Sequence, residues 1–272
     1  MSEIDRPTTL IEYPESNGEP MTESDPTRDY LIYCVEALDV FFHSRRQVYV
    51  SGGLCIYYEQ GDPRSVVSPD VFVVFGVSKH KRRVYKTWKE GKIPSFVLEV
   101  TSEMTRKQDE IDKPQIYASL GIQEYFQYDP TGDYLMPQLK GARLVNGVYQ
   151  PLAGIHLVDD TFSIHSKILG LDLRLLTPQP SFLSIVADPD TQPKELRFFD
   201  PQTGERLLSH REAEEARQEA EQARLEAEQE FVVEAQARRA AVPRLLALGL
   251  PIEKISETLS LSIEEVKTIM GH

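Results

Sequence analysis

Three carboxylates stand in or beside apolar runs where they could do chemistry: Glu59 at the close of QVYVSGGLCIYYE (47–59), Asp70 within SPDVFVV, and Glu99 inside SFVLEVTS. A carboxylate in an apolar strand is costly to bury unless it is paired or binds a metal. Glu99 lies between Leu98 and Val100, so strand alternation turns it to the face opposite both, where it needs a partner. Hard oxygen ligands of this kind favour magnesium or manganese, which usually take one or two carboxylates, several waters and substrate phosphate oxygens. That is the chemistry of phosphodiester hydrolysis. The metal polarises the scissile phosphate and lowers the pKa of an attacking water, and a nearby lysine can orient or deprotonate that water. The histidines are scattered, with no H-x-x-x-H spacing or triad-like companion, so zinc and Ser-His-Asp chemistry have no support.

The elements that must position these acids follow from the pattern around them. Residues 1–24 are acidic and broken by Pro7, Pro14, Gly18 and Pro20, as expected of a flexible arm. Leu31, Val35, Leu38 and Phe42 then recur at helical spacing and predict a helix over about 27–44. Three runs rich in β-branched and aromatic residues follow as strands, at 47–59, 66–76 and 94–102. Between the second and third lies the polar loop SKHKRRVYKTWKEGK (78–92). Next, 106–121 reads as a helix ending at Gly121, and IQEYFQYD (122–129) as a strand. Helix, three strands, helix and strand make an α/β or α+β mixed sheet flanked by helices. Shorter alternating pieces from 133 to about 200 suit an antiparallel extension.

The C-terminal third has a different character. Residues 205–239 contain no Gly or Pro and space Ala213, Ala216, Ala220, Ala223 and Ala227 by three and four. Two readings stand: a close-packed coiled coil, which implies a dimer, and a single solvated helix held by Glu–Arg pairs such as Arg217–Glu221. The tail, 242–270, reads as short helices with a capping box at Ser262 and Glu265, spaced like a helix-turn-helix. Its second helix offers Glu264 and Glu265 against Lys267, a poor complement to phosphates.

Composition bounds the whole. The 272 residues carry 30 Lys and Arg against 43 Asp and Glu, a formal charge of −13, with 40% hydrophobic residues. Such a chain is neither collagen-like, disulfide-stapled nor wholly disordered, and its length allows one sizeable core with an appendage or two modest domains. The first 30 residues hold eight acids against two arginines and 205–239 hold ten Glu against six Arg, so the body between is near neutral and a nucleic-acid partner stays open. The acidic opening lacks the basic patch and apolar run of a signal peptide, and no apolar stretch reaches the roughly 18 residues of a membrane span. Cys34 and Cys55 read as buried thiols in a reducing compartment, so a cytoplasmic protein is expected, with no membrane partner and no organic cofactor.

The blocks PD (69–70), EV-T-S (99–102), D-x-x-x-K (109–113), Tyr117, LG (120–121) and EYF--YD (124–129) resemble the restriction-endonuclease-like proteins of the Uma-two type, a branch of the PD-(D/E)-x-K nuclease superfamily. The resemblance covers about 27–200. It implies a magnesium- or manganese-dependent endonuclease acting on DNA. Asp70 and Glu99 would be the metal carboxylates, the carbonyl of Val100 a further ligand, and Glu59 a supporting acid. The superfamily places a lysine two residues after the second acid, where this chain has Thr101; the resemblance points instead to Lys113 on the following helix, with Lys107 behind it. The domains implied are an arm (1–24), a nuclease domain (25–204), a long charged helix (205–240) and a helical tail (241–272).

In the loop 78–92, Lys81, Arg82, Arg83, Lys86 and Trp88 are the substrate-binding candidates, since cations neutralise phosphates while aromatics stack on bases. A solvated charged hairpin is the competing reading. Asp70 also reads as a strand-entry residue after Pro69, Asp109 as an acid favoured at a helix N-terminus, and Tyr117 as a packed aromatic. Two alternatives to the nuclease are a catalytically inactive scaffold that keeps the fold and a regulator that binds DNA through its C-terminal helices.

Overall fold

Ser24 caps the first helix by accepting a hydrogen bond from the Thr27 N–H, and Pro26 suits the first turn of α1 (Asp25–Phe41). The computed structural model describes residues 11–14, 24–159, 161–177 and 193–271, in two compact units, residues 1–210 and 211–272. Most of the expected N-terminal arm lies outside the described residues, as does part of the expected extension up to residue 200.

In the first unit β1 (Val48–Ser51), β2 (Ile56–Tyr57), β3 (Val66–Val67), β4 (Val71–Phe75) and β5 (Tyr85–Lys86) follow α1. After them come α2 (Thr87–Glu90), β6 (Phe96–Val100), α3 (Lys113–Leu120), β7 (Glu124–Tyr128), β8 (Leu139–Val145) and β9 (Val148–Pro151). The unit continues with β10 (Ile155–His156), β11 (Phe162–Ser166), β12 (Leu171–Leu176) and β13 (Glu195–Phe199). The main sheet has the order β1-β4-β6-β7-β8-β9, with β6 and β7 parallel and every other pair antiparallel. An antiparallel sheet β10-β11-β12-β13 and a small sheet β3-β2-β5 complete the unit. This is the mixed α/β architecture that the pattern implied.

Two expected strands are each divided. The run 47–59 breaks at Gly52–Gly53, where Gly53 has φ +59° and a Cβ on Gly52 would lie 2.1 Å from the Asp70 carbonyl oxygen. Its second half, β2, joins a different sheet. The run 66–76 breaks at Ser68–Pro69–Asp70, which carries the chain from β3 to β4. The polar loop 78–92 contains β5, parallel to β2, and the short helix α2.

Strand alternation sorts the core into two faces of the main sheet. Val71, Val73, Phe96, Leu98, Val100, Phe126 and Tyr128 pack with α1 and the β10–β13 sheet. Phe72, Val74, Val97 and Tyr125 pack with Tyr117 of α3 and with Ile56, Val67 and Tyr85 of the small sheet. Buried polar groups pin these layers. Asp129, at the end of β7, accepts hydrogen bonds from the N–H groups of Thr131, Gly132, Tyr134 and Leu135 and thereby folds the turn that follows. Glu124, fully buried at the start of β7, receives Arg143 (2.6 Å) from β8 and the Ser166 hydroxyl (2.5 Å) and Lys167 N–H (3.2 Å) from the other sheet.

The second unit comprises α4 (His210–Ala247) from Arg211 onward, α5 (Ile252–Leu259) and α6 (Ile263–Met270). Val242, Ile255 and Val266 form its core, with Leu246, Leu259 and Ile269 packed around them. Ser262 and Glu265 form the expected capping box. The long helix runs past its expected end at 240 and through Pro243, because Val242, Leu245 and Leu246 supply the packing for its last turns. Among the described residues no helix is long and apolar enough to cross a membrane.

Because Glu124 ties two sheets together from a fully buried position, Glu124→Ala is expected to lower stability by roughly 3 kcal/mol, read from urea unfolding. A loss below about 1 kcal/mol would mean that water replaces its contacts.

Candidate functional site

Asp70 enters β4 and Glu99 sits in β6, neighbouring antiparallel strands in which Val71 faces Leu98. Both acids share the side-chain face of Phe72 and Val97, which is the face covered by α3. They are joined through the backbone: the Asp70 N–H donates to Glu99 Oε2 (3.3 Å), and the Val100 N–H donates to Asp70 Oδ2 (2.8 Å). A strand residue's N–H and carbonyl leave by the same edge, so the Val100 carbonyl shares the edge on which its N–H meets Asp70. The Thr101 N–H leaves by the other edge, to the Tyr128 carbonyl (2.7 Å).

The helix opposite completes the cluster. Residues 106–120 do not form a uniform α-helix, since Gln108–Asp112 make a π-helical turn before α3. Pro114 explains the irregularity: it has no N–H for the carbonyl one turn back, and a wider turn relieves the clash of its ring. The Tyr125 hydroxyl, donating to the Asp109 carbonyl (2.5 Å), holds this turn on the sheet. Asp109, Lys113 and Tyr117 therefore project together towards Glu99. Lys113 Nζ lies 2.9 Å from Glu99 Oε2 and 2.8 Å from Asp109 Oδ1, and the Tyr117 hydroxyl donates to Glu99 Oε1 (2.5 Å).

Two fully buried acids, Glu99 and Asp109, thus share one ammonium, with Asp70 on the neighbouring strand adding its charge. Burial, reinforced by the Glu99 charge, raises the Asp70 carboxyl well above its ordinary pKa and pushes Asp109 up to about 6. For Lys113, burial alone would lower the pKa, but Glu99, Asp109 and Asp70 outweigh it and hold the ammonium above its ordinary value. Burial and then Glu99 likewise raise the Tyr117 phenol, which remains a hydrogen-bond donor. The buried Thr101 hydroxyl and the Asp109 carboxylate oxygens have no aligned hydrogen bond.

The structure thus gathers Asp70, Glu99, Val100 and Lys113 and leaves other expected residues outside the cluster. Glu59 is exposed, accepting from the Ser65 hydroxyl (3.2 Å), because the break at Gly52–Gly53 carries its segment into the small sheet. Lys107 is exposed on the helix. Arg82 is not an open phosphate contact: its side chain is 3% exposed, paired with Glu90 (2.7 Å) and stacked 4.2 Å over Tyr49, so it braces the loop. Lys81 and Arg83 are exposed, whereas Lys86 and Trp88 contact Tyr13. Asp109, Tyr117 and Gly52 are the members whose roles the sequence left undecided or unremarked. The first two carried a signal, since Asp109, Lys113 and Tyr117 recur every four residues along one helical face.

Among the described residues no three His, Cys, Asp or Glu side chains converge as a ready-made metal cage. The donors nevertheless suit a hard cation of the magnesium kind, which needs only one or two carboxylates and fills its remaining positions with water and substrate oxygens. The buried, unpartnered Thr101 hydroxyl and the excess of acids over ammonium favour such a charge.

The model of a family described as "Uma2: Putative restriction endonuclease" matches residues 4–175. A solved structure described as "a putative nuclease belonging to DUF820 from Anabaena variabilis ATCC 29413" is similar at 14% identity, with 63% of this chain and 82% of that one covered and a TM-score of 0.37. No curated protein matches.

Removing the ammonium while keeping the acids is expected to be costly. Lys113→Ala should lose roughly 3–5 kcal/mol, because it leaves Glu99 and Asp109 buried without compensation. Lys113→Met combined with Asp109→Asn should recover more than half of that loss; equal loss in the single and double variants would show that the ion pair does not couple them.

Proposed function

Because the chain belongs to the Uma2 family of restriction-endonuclease-like proteins, we propose that it is a divalent-metal-dependent endonuclease hydrolysing phosphodiester bonds in DNA. The observation that carries this reading is the junction of Asp70 and Glu99 through each other's backbone neighbourhood, with Lys113 alongside. Asp70, Glu99 and the Val100 carbonyl would hold magnesium or manganese. When bound, that ion supplies Lewis-acid polarisation of the phosphate and a more acidic water.

The chain's own residues do the remaining work. The Tyr117 hydroxyl and the Asp70 N–H fix both oxygens of Glu99, so the carboxylate is oriented before substrate arrives. The Val100 N–H holds one oxygen of Asp70 and leaves the other available. Lys113, held as an ammonium between Glu99 and Asp109, is placed to donate a hydrogen bond to the attacking water or to a phosphate oxygen. Its position on a helix serves the purpose of the missing lysine at Thr101, because the long side chain reaches the same carboxylate from the opposite layer. The exposed Lys81 and Arg83 of the loop 78–92 would neutralise phosphates of the DNA backbone.

The same reading extends to assembly as a homodimer through α4. In the heptad that places Ala213, Ala220 and Ala227 at one seam position and Ala216 and Ala223 at the other, Glu212 and Glu219 precede Arg217 and Arg224 by five residues. That spacing brings opposite charges together in a parallel, in-register pair and like charges together in an antiparallel one. The buried thiols of Cys34 and Cys55 suit a reducing cytoplasm.

Nicking of supercoiled DNA with Mg2+ or Mn2+ tests the activity. Cleavage is expected to disappear in Asp70→Asn and Glu99→Gln and to fall roughly 10²–10³-fold in Lys113→Met; full activity in either acid variant would refute the mechanism. Calorimetry should show metal binding that both acid variants lose. For assembly, Arg217→Glu with Arg224→Glu is expected to turn a dimer into a monomer in sedimentation equilibrium, and an unaltered mass would dismiss the parallel pair.

A further inference from the structure

Residues 11–14 of the N-terminal arm lie against β2, β5 and α2. The Tyr13 ring lies 5.0 Å from Tyr57, nearly edge-on at 75°, and 5.3 Å from Trp88. Lys86 Nζ stands 4.0 Å over the same ring. The Gly61 N–H donates to the Tyr13 hydroxyl (2.8 Å), and the Tyr57 hydroxyl donates to the Pro14 carbonyl (2.5 Å). Two aromatic rings and an ammonium thus enclose one planar side chain, a geometry that holds a flat π system by its face and edge.

The surroundings say what else such a cage would take. Trp88 and Lys86 belong to the loop 78–92, whose seven basic residues face a single acid in sequence, and Lys81, Arg83 and Lys89 on it are exposed. An aromatic platform bordered by cations is the pattern that binds single-stranded nucleic acid, with bases stacked and phosphates neutralised. The arm resembles that ligand chemically. Its planar ring sits between Glu12 and Glu15 in the sequence, within a 30-residue stretch of eight acids and two arginines.

We propose that Trp88, Tyr57 and Lys86 form a stacking site for an unpaired nucleobase, and that Tyr13 of the acidic arm fills it until a nucleic-acid strand displaces it. The proposal rests on the reading of the chain as a protein that acts on nucleic acid, and it adds a built-in competitor to that reading. The Tyr13 ring, held by these ring contacts and, with Pro14, by two hydrogen bonds, can be exchanged for a base without disturbing either face of the main sheet, since Tyr13 belongs to neither core.

Trp88 is the only tryptophan in the chain, so its emission reports on this site. With the full chain and a short labelled oligothymidylate at low salt, Tyr13→Ala is expected to bind about fivefold to tenfold more tightly than the unaltered protein and to show quenching of Trp88. Glu12→Gln, which leaves every ring contact in place, should tighten binding by a smaller factor, and Trp88→Leu introduced into Tyr13→Ala should abolish the gain. Unchanged or weaker binding by a Tyr13→Ala protein with wild-type circular dichroism overturns the proposal, as does a gain that survives loss of Trp88 or the absence of binding by any variant. Cleavage separates the two readings: metal-dependent nicking without any effect of Tyr13→Ala removes the stacking site and keeps the nuclease, whereas Trp88-dependent binding without nicking does the reverse.

Discussion

The arrangement of the first unit turns on one electrostatic constraint, the burial of Glu99 in the middle of the main sheet. A buried carboxylate must be met by charge or hydrogen-bond donors, and those it receives come from two other elements of the chain. Tyr117 and Lys113 come from the helix, and the Asp70 N–H comes from the neighbouring strand. Satisfying Glu99 therefore fixes the distance of the helix from the sheet and the point at which β4 begins. The residue that is hardest to bury is also the one that registers the layers around it.

The backbone yields where this constraint is strongest. The π turn at Gln108–Asp112 adds the room that Pro114 demands and brings Asp109 into line with Lys113 and Tyr117. On the other side, Gly52 is needed because its neighbour is the backbone of Asp70 itself, with the Val35 side chain 2.8 Å from where a Cβ would stand. Both departures from regular geometry lie beside the same acids, as strain and irregularity at functional sites commonly do.

The basic loop shows how charge serves stability and recognition in neighbouring residues. Arg82 turns inward, where its planar guanidinium both pairs with Glu90 and stacks on Tyr49, a double use that a lysine could not make. With that brace in place, Lys81, Arg83 and Lys89 stay exposed and Trp88 packs on Tyr13 beside the small sheet.

The class of the fold was legible in the chain before folding, because periods of two and of nearly four residues are local properties. The sequence also singled out Glu99, since an acid inside an apolar strand is conspicuous without any neighbour in view, and it pointed to Asp70 and Lys113 through the resemblance. Partnership was decided only in three dimensions. Glu59 and Asp70 look alike as acids near strand ends, yet a two-glycine break sends one into another sheet and leaves it in solvent. Arg82 and Lys81 are adjacent and equally basic, yet one is sealed between rings and the other is exposed. Tyr13 lies far in sequence from the aromatics it meets. Local pattern says which way a side chain faces along its own strand or helix, but what it faces depends on contacts between distant segments, and those exist only once the chain has folded.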